Sequence, residues 1–336
     1  MAKALITGIT GMVGSHLADY LTENTDWEIH GLIRWRSPLN NISHLIQNIN
    51  SNNIKLHYGD LRDSTSIDNV IETCKPDYIF HLAAQSFPKT SFESPLDTYE
   101  TNIQGTNRVL EAARRHSPNA YIHVCSSSEI FGRVDKSKLP IDEECTFHPA
   151  SPYAISKVGT DLIGRFYGEA YGLNVITTRM FTHTGPRRGD VFAESTFAKQ
   201  IALAEENFID PIIKVGNLES IRTIADVRDA VRAYYLALTV NPIPGEYYNI
   251  GGNYTTSIGE ILKYLISLSH LKNELSYEVE TNRLRPIDAD LQIPNTKKFG
   301  EHTGWAPEIP FEETMKDLLN YWRERIKKEG NIFLTR

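Results

Sequence analysis

Three glycines near the N-terminus place the strongest constraint on the fold. They follow the pattern Gly8-x-x-Gly11-x-x-Gly14, directly after an apolar segment at residues 4–7 and at the start of a helical pattern at residues 13–21. In such a strand–turn–helix unit, glycines allow a tight turn and a close approach of the backbone to a pyrophosphate, which the N–H groups of the helix N-terminus bind. We therefore predict a dinucleotide-binding turn with the contact residues Gly8, Thr10, Gly11, Met12, Val13 and Gly14.

Strands and helices alternate over the first half of the chain. We predict strands at residues 4–7, 28–33, 54–58, 78–82, 120–125 and 174–179, and helices at residues 13–21, 64–73, 99–115 and 153–171. This alternation predicts an α/β fold with a Rossmann-type, doubly wound parallel sheet. After about residue 182 the alternation weakens and loops rich in Gly, Pro and Arg begin. We therefore assign residues 1–181 to the dinucleotide-binding domain, with returning elements near 220–250 such as a strand at 247–250. Residues 182–336 form mainly a smaller, interleaved α/β substrate-binding domain.

Composition excludes several function classes. The 336 residues, 40% hydrophobic and 23% charged, are typical of a globular protein, and the net charge of −7 argues against a nucleic-acid partner. We find no signal peptide and no apolar run of about 20 residues, so we expect no membrane partner. Cys74, Cys125 and Cys145 have neither metal-site nor disulfide-framework spacing, and His123 and His183 lack metal-like partners. We predict no metal and a cytoplasmic location.

The ends of the second and third strands bear on the choice of cofactor. An acid at the end of the second strand would bind the 2′-hydroxyl of NAD, but this chain has Arg34 there. Because arginine pairs well with a 2′-phosphate, NADP is favoured over NAD. The alternative is that Arg34 belongs to a solvated basic loop. Asp60 and Leu61 follow the third strand, where Asp60 can contact the adenine, cap the helix that begins at Ser64, or do both.

A tyrosine and a lysine lie four residues apart in the predicted helix at 153–171. Tyr153 and Lys157 therefore share one face of that helix. A tyrosine has a pKa of about 10, and a nearby ammonium lowers it toward the range of a useful base. Lys157 can also hold the nicotinamide ribose. The alternative is a surface helix that carries both residues by chance.

A serine-rich segment ends the strand at 120–125. Ser127 and Glu129 lie there, at the carboxyl edge of the sheet, where ligands bind in such folds. A serine can bind a substrate oxygen, and a carboxylate can remove a carbon-bound proton next to a carbonyl. Simple hydride exchange needs only one acid/base, so Glu129 points to sugar chemistry beyond alcohol oxidation. The alternative is that Glu129 caps a loop or binds a sugar hydroxyl. An anion site for a diphosphate is predicted at Arg187, Arg188, Arg222 and Arg285.

The same motifs resemble those of the extended short-chain dehydrogenase/reductases that modify nucleotide sugars. Within that group, the chain is most similar to the GDP-mannose 4,6-dehydratases. The resemblance covers nearly the whole chain. Its motifs are Gly8-x-x-Gly11-x-x-Gly14, His30-Gly31-Leu32-Ile33-Arg34, Tyr58-Gly59-Asp60-Leu61, His81-Leu82-Ala83-Ala84-Gln85-Ser86, Ser91-Phe92, Thr101-Asn102-x-x-Gly105-Thr106, Ser127-Ser128-Glu129, Tyr153-x-x-x-Lys157, Gly185-Pro186-Arg187-Arg188-Gly189, Val215-Gly216-Asn217-Leu218, Arg285-Pro286 and Gly304-Trp305.

The resemblance implies an oxidation–elimination–reduction cycle on a GDP-sugar, with NADP as cofactor and a homodimer or homotetramer as the assembly. It implies the catalytic residues Ser127, Glu129, Tyr153 and Lys157. It implies cofactor contacts from Arg34, Asp60, Leu61, Leu82, Ala83, Ala84, Tyr153, Lys157, His183 and Arg188, in addition to the glycine turn. It implies substrate contacts from Ser86, Ser128, Thr182, Arg187, Lys199, Val215, Asn217, Arg222, Arg285 and Asp288.

Two departures from the family pattern bear on the substrate. The family has Phe-Asn-His-Glu where this chain has Phe181-Thr182-His183-Thr184, and Asp-Trp-Gly where this chain has Thr223-Ile224-Ala225 after Arg222. The sequence therefore indicates a 4,6-dehydratase acting on GDP-mannose or a close relative such as a GDP-heptose. A GDP-4-keto-6-deoxy-sugar reductase or epimerase that uses NADPH is the first alternative. A non-catalytic nucleotide-binding member of the fold is the second.

Overall fold

The computed structural model describes residues 1–46, 54–284 and 289–330. The strands are β1 (Lys3–Thr7), β2 (Glu28–Ile33), β3 (Ile54–Tyr58), β4 (Tyr78–His81), β5 (Tyr121–Cys125), β6 (Asn174–Met180), β7 (His183–Thr184), β8 (Ile212–Val215), β9 (Ile221–Asp226), β10 (Tyr247–Ile250), β11 (Tyr254–Ser257), β12 (Ser276–Val279) and β13 (Leu291–Gln292). The helices are α1 (Met12–Asn24), α2 (Ser43–Ile46), α3 (Ser64–Cys74), α4 (Pro88–Glu93), α5 (Pro95–Tyr99), α6 (Gly105–His116), α7 (Pro152–Tyr171), α8 (Ala193–Glu205), α9 (Val227–Thr239), α10 (Ile258–Ser267), α11 (Lys297–Thr303) and α12 (Phe311–Glu329).

Seven parallel strands form the central sheet, in the order β10-β6-β5-β4-β1-β2-β3. The predicted Rossmann-type sheet is confirmed. Strand order reverses between β1 and β4, whose last residues, Thr7 and His81, are direct neighbours. In open α/β sheets a ligand crevice lies outside the carboxyl ends of the strands at such a switch point. The topology therefore places a binding cleft above these two residues.

Helices cover both faces of the sheet. On one face α1 and α9 pack together, and Leu17 and Tyr234 are among their buried residues. On the other face α3, α6 and α7 bury residues such as Ile71, Leu110 and Tyr167. Because both faces are covered, the strands read as nearly continuous apolar runs rather than as alternating ones. This is why the strand positions were visible in the sequence.

The C-terminal half adds a second layer beside the carboxyl edge. Strand β9 pairs with β7, β11 and β13, and β8 pairs with β12. Helices α8, α10 and α12 share a separate apolar cluster that includes Phe197, Ile261 and Trp322. Strand β10 returns to the central sheet and lies at its edge beside β6. A division of the chain at residues 181 and 182 stays a prediction.

The predicted helix at residues 99–115 is not one regular helix. Helix α5 precedes it, and a π-helical segment at Glu100–Gln104 joins α5 to α6. Within this segment, the carbonyl of Asn102 accepts hydrogen bonds from the hydroxyls of Thr106 and Thr160. The Asn102 side chain in turn binds the backbone of Gln85 and the hydroxyl of Ser156. The irregular turn thus ties β4 to α7 beside the cleft.

A buried ion pair holds α7 against the sheet. Arg179 on β6 makes a two-pronged contact with Asp161 on α7, with N···O distances of 2.8 and 3.0 Å, and also donates to the carbonyl of Glu143. Both charged side chains are almost fully buried. Attraction between buried charges has to offset the cost of removing them from water, which requires such complete pairing. The pair therefore fixes the position of α7.

We expect Asp161→Asn to reduce the free energy of unfolding by about 3–5 kcal/mol, because it leaves the Arg179 guanidinium buried beside a neutral amide. Denaturant titration followed by circular dichroism measures this loss. Lys297→Gln, which removes a surface ion pair with Glu301, is the control and should leave stability unchanged within error. Equal stability of Asp161→Asn and the wild type would contradict the role of the pair.

Candidate active site

A cleft of about 1230 Å³ lies at the carboxyl edge of the sheet, between the sheet and the C-terminal layer. Most of the residues predicted from the sequence line it. These are Gly8, Thr10, Gly11, Met12, Val13, Gly14, Arg34, Asp60, Leu61, Leu82, Ala83, Ala84, Ser86, Ser127, Ser128, Glu129, Tyr153, Lys157, Thr182, His183, Arg187, Arg188, Val215, Asn217 and Arg222. Residues far apart in the sequence therefore meet around one cavity.

The glycine turn is shaped for close approach of a ligand. Gly8 has a φ of +76°, and a Cβ on Gly14 would lie only 2.3 Å from the carbonyl oxygen of Gly8. Gly11 begins α1 without any side-chain cap on the N–H groups of the first turn. These amides, together with the helix dipole, suit a pyrophosphate. The turn thus fits the dinucleotide for which the sequence predicted it.

A hydrogen-bond chain joins the carboxyl ends of β1 and β4 beneath the cleft. The hydroxyl of Thr7 accepts from the amides of Leu82 and Ala83 and lies 2.9 Å from Nδ1 of His81. Because the Thr106 hydroxyl donates to a carbonyl, it accepts from Nε2–H of His81, and Thr7 therefore donates to Nδ1. Burial, followed by the charge of Lys157, lowers the pKa of His81 to about 3. A neutral histidine thus fixes the floor of the cleft.

Two basic residues surround Asp60 at the end of β3. Arg62 binds both carboxylate oxygens of Asp60, with N···O distances of 3.2 and 3.1 Å. Hydrogen bonding from Arg62 is the main reason why the pKa of Asp60 is lowered, and the charge of Arg34 contributes. The suggested capping role of Asp60 is wrong, because Asp63 caps α3 by accepting from the amides of Thr65 and Ser66. Arg34 is exposed and free to meet a ligand phosphate at the rim.

The first turn of α7 presents Tyr153 and Lys157 to the cleft. Ser151 caps this turn by accepting from the amide of Ala154, and the hydroxyl of Ser91 accepts from the amide of Tyr153. The Nζ atom of Lys157 donates to the carbonyl of Cys125 at 2.7 Å. The Ser-Pro start of the helix, with Pro152 in its first turn, is a common N-terminal signature. Local sequence thus determines where this pair stands.

The expectation that Lys157 lowers the pKa of Tyr153 is not supported by the geometry of the protein alone. Burial raises the pKa of Tyr153 well above its ordinary value, and the charge of Glu129 adds to the increase. A hydrogen bond from Ser127 and the charge of Arg188 oppose it. Burial also lowers the pKa of Lys157. For the pKa of Tyr153, desolvation therefore outweighs the proximity of Lys157 from which the sequence analysis expected a lower value.

A short 3₁₀ turn holds Ser127 and Glu129 beside Tyr153. Ser127 precedes the turn at Ser128–Phe131, and its hydroxyl oxygen accepts from the amide of Glu129 at 3.2 Å. Ser127 also hydrogen-bonds the phenol of Tyr153. The carboxylate of Glu129 is close enough for its charge to act on that phenol. Hydroxyl, phenol and carboxylate therefore meet at one end of the cleft.

The two arginines of the Gly185–Gly189 loop take different positions. Arg188 stacks its guanidinium on Phe192 at 3.5 Å from the ring centre and lies 3.3 Å from Glu194. Burial lowers the pKa of Arg188. Burial, followed by the charge of Arg188, lowers the pKa of the neighbouring His183 to about 4. Arg187, in contrast, binds Asp19 on α1 at 2.7 Å. Arg188 thus borders the phenol, and Arg187 borders the nucleotide-binding helix.

The sequence is similar to those of known proteins. The sequence model of the GDP-mannose 4,6 dehydratase family matches residues 5–318. The chain belongs to the GDP-mannose 4,6-dehydratase family. Membership makes it an enzyme of the hydro-lyase type, in a family that acts on a GDP-sugar and uses NADP.

Relatives of the family match along nearly their full length. GDP-mannose 4,6 dehydratase 1 of Arabidopsis thaliana is 32% identical over 335 residues, which cover 97% of this chain and 91% of that protein. The GDP-mannose 4,6 dehydratase of Homo sapiens is 31% identical over 351 residues, which cover 98% of this chain and 93% of that protein.

Solved structures show the same architecture. RMD from Pseudomonas aeruginosa complexed with NADPH superposes with a TM-score of 0.80 at 27% identity, and the match covers 97% of this chain and 100% of that one. The UDP-glucose 4-epimerase of Thermotoga maritima with UDP-glucose gives a TM-score of 0.83 at 26% identity, covering 96% and 99%.

Among the predicted substrate contacts that the structure describes, Lys199 alone does not line the cleft. Lys199 is not among the lining residues, because it binds Asp190 at 2.9 Å, and Asp190 itself lines the cleft. Arg285 and Asp288 lie outside the described residues. Lys199 is thus placed to hold a cleft residue rather than to form the surface.

The cleft of this dehydratase-family chain also contains charged residues that the sequence analysis missed. They are Arg62, Lys89, Glu93, Asp97, Asp190, Glu194, Lys214 and Arg283. Arg62 directly follows the motif at residues 58–61, so its place at the cleft could have been predicted from the sequence. Lys214 lies on β8, directly before the motif that begins at Val215, whereas Arg283 ends the short turn at Thr281–Arg283, for which no motif was quoted. No helix among the described residues combines the length and the apolar character needed to span a membrane.

We expect Arg34→Gln to weaken NADP binding by roughly 10- to 100-fold, because a charged hydrogen bond contributes about 1.5–3 kcal/mol. Binding of NAD, which lacks the 2′-phosphate, should change little. Isothermal titration calorimetry with both cofactors measures the two affinities. Arg36→Gln is the matched control, since Arg36 is exposed nearby but does not line the cleft. An equal loss for NADP and NAD would contradict the assignment.

Proposed function

We propose that the protein converts GDP-mannose, or a close GDP-sugar such as a GDP-heptose, to the corresponding 4-keto-6-deoxy sugar. The observation that carries this proposal is the meeting of two acid/base groups in one cleft. Both residues, Tyr153 and Glu129, line the cleft, and the carboxylate of Glu129 is close enough for its charge to raise the pKa of Tyr153. Hydride exchange alone needs only one such group, whereas elimination of water next to a ketone needs a second.

NADP fits the glycine turn, the uncapped start of α1 and the exposed Arg34 at the rim. When bound, NADP supplies a hydride acceptor and donor, and its oxidised ring adds a positive charge. Lys157 is positioned to hold the nicotinamide ribose from the floor of the cleft. Leu82, Ala83 and Ala84 line the same floor, where the Thr7 hydrogen bonds fix the backbone.

Each residue at the chemical end of the cleft has a distinct role in the proposed cycle. Tyr153 takes the proton of the sugar 4-hydroxyl as C4 is oxidised, and the Ser127 hydroxyl polarises the C4 oxygen. The new 4-ketone makes the C5 hydrogen acidic. Glu129 then removes the C5 proton, and water leaves from C6. The C6 carbon is finally reduced and C5 is protonated, so the net change is loss of one water.

The C-terminal layer supplies the proposed contacts to the guanosine diphosphate. Val215, Asn217 and Arg222 line the cleft at this end, and Arg222 is buried there. Its guanidinium suits a diphosphate. Thr182 stands where the family pattern has asparagine, so it bears directly on which GDP-sugar is accepted. Lys199 contributes by holding Asp190 at the cleft.

A reductase or epimerase acting on a GDP-4-keto-6-deoxy sugar is the second candidate. The match to RMD, which is solved with NADPH, and the match to a UDP-glucose 4-epimerase favour it. The reductase reaction needs the Tyr153 and Lys157 positions but no second base. The presence of Glu129 is therefore what favours the dehydratase, and the presence of all three residues disfavours a purely nucleotide-binding protein.

We propose a homodimer or homotetramer, because α7 carries an exposed apolar stripe. Ile155, Leu162 and Phe166 follow a helical repeat on its outer face and are each about half exposed. Contiguous exposed apolar surface is typical of an interaction site.

The cytoplasmic location stays a prediction, and Cys74, Cys125 and Cys145 are free thiols.

We expect Glu129→Gln to abolish loss of water while sparing NADP binding, because the amide cannot accept the C5 proton. The assay is incubation with GDP-mannose, or a GDP-heptose, without added reduced cofactor, followed by mass spectrometry of the sugar nucleotide. Glu72→Gln is the matched control, since Glu72 is an exposed carboxylate on α3 that does not line the cleft. It should leave turnover unchanged.

Two outcomes would decide against this assignment. Dehydration that survives Glu129→Gln would show that another group acts as the base. NADPH consumption with a GDP-4-keto-6-deoxy sugar, combined with no dehydration of either GDP-sugar by the wild type, would favour the reductase.

A further inference from the structure

Two histidines and a cysteine meet away from the cleft. His30 on β2, His57 on β3 and Cys74 at the end of α3 each offer a ligand atom, and these atoms lie within 4.8 Å of one another. Among the described residues, this is the one group of three or more histidine, cysteine and acidic side chains gathered so closely. None of the three lines the cleft. The cluster is therefore unrelated to the residues of the proposed reaction.

The topology explains why the three residues converge. His30 pairs with Lys55 across the parallel ladder and Leu32 pairs with His57, so the two histidines are diagonal neighbours on one face of the sheet. Helix α3 covers that face and ends there with Cys74, which is fully buried. Three elements that follow one another in the chain thus each contribute one ligand atom.

Hydrogen bonding already orients the cluster as in a metal site. Glu28 accepts a hydrogen bond from Nε2 of His30 at 2.6 Å, which leaves the Nδ1 lone pair of His30 directed at the other two residues. Nε2 of His57 lies 2.8 Å from that Nδ1 atom and 3.4 Å from Sγ of Cys74. A carboxylate behind a ligating histidine is a frequent device in metal sites, because it fixes the ring and its tautomer.

We propose that His30, His57 and Cys74 bind a transition-metal dication of the zinc class, with Glu28 positioning His30. Two imidazoles and one thiolate suit Zn²⁺, which takes three protein ligands and leaves a fourth position for water. Zinc–ligand lengths place tetrahedral ligand atoms about 3.3 to 3.6 Å apart. The facing nitrogens of the two histidines must therefore move slightly further apart. His57 is half-buried, so its ring can shift toward solvent.

Charge and proton balance are consistent with such a site. Metal binding displaces the thiol proton of Cys74 to solvent and moves the proton of His57 from Nε2 to Nδ1. Glu28 and the new thiolate together offset the two charges of the metal. Lys55, which pairs with Glu28, is mostly exposed, and Lys3 binds the carbonyl of Cys74.

Cobalt substitution tests the site on the full-length protein. After treatment with a chelator and buffer exchange, Co²⁺ alone is titrated in, and we expect a thiolate-to-Co²⁺ charge-transfer band that saturates at one equivalent. The band should be lost in Cys74→Ser. It should persist in Cys145→Ser, the matched control at a thiol outside the cluster. A band of equal strength in Cys74→Ser would overturn the proposal.

Zinc affinity provides a second readout that does not depend on altering a buried residue. In competition with a chromogenic chelator, His57→Ala is expected to reduce Zn²⁺ affinity at least 10-fold, and Glu28→Ala about 10- to 100-fold. Both side chains reach solvent, and circular dichroism checks that each variant is folded. Unchanged zinc affinity in His57→Ala would show that the cluster is only a hydrogen-bonded relay. Absence of metal binding by the wild type would show the same.

Discussion

Removal of Tyr153 and Lys157 from water is the physical constraint on which the active site depends. Burial raises the pKa of the phenol and lowers that of the ammonium, so it shifts each group toward its neutral form. Small contributions from neighbours then decide where the proton sits. Besides burial, Ser127, Glu129 and Arg188 shift the pKa of the phenol. A buried acid/base of this kind works only if the backbone beneath it is held firmly.

That rigidity comes from a few polar contacts at the carboxyl edge of the sheet. The hydrogen bonds at the start of α7 position Tyr153. The Arg179–Asp161 pair anchors the same helix to β6. The neutral His81 at the end of β4 hydrogen-bonds the hydroxyls of Thr7 on β1 and Thr106 on α6. Because the Ser91–Tyr153 and Thr7–His81 contacts join residues 62 and 74 positions apart, formation of the cleft depends on assembly of the sheet.

Local signals made much of the site predictable. The glycine turn, the Tyr153–Lys157 spacing and the position of Glu129 after β5 each follow from the chain over a few residues, and all of them line one cleft. Other features depend on tertiary contacts that no spacing reveals. The π-helical segment is hydrogen-bonded to hydroxyls on α6 and α7, and the raised pKa of Tyr153 arises mainly from burial. The cluster of His30, His57 and Cys74 forms only through strand register.

Membership of the GDP-mannose 4,6-dehydratase family and the Glu129–Tyr153 geometry lead to one central claim, that hydride removed from C4 returns to C6 of the same sugar. The most direct measurement uses GDP-mannose labelled with deuterium at C4, incubated with the protein and NADP but no reduced cofactor. The product is predicted to have lost one water and to carry the deuterium at C6. A dehydrated product without the label, or deuterium recovered in free NADPH with no loss of water, would contradict the internal return of hydride.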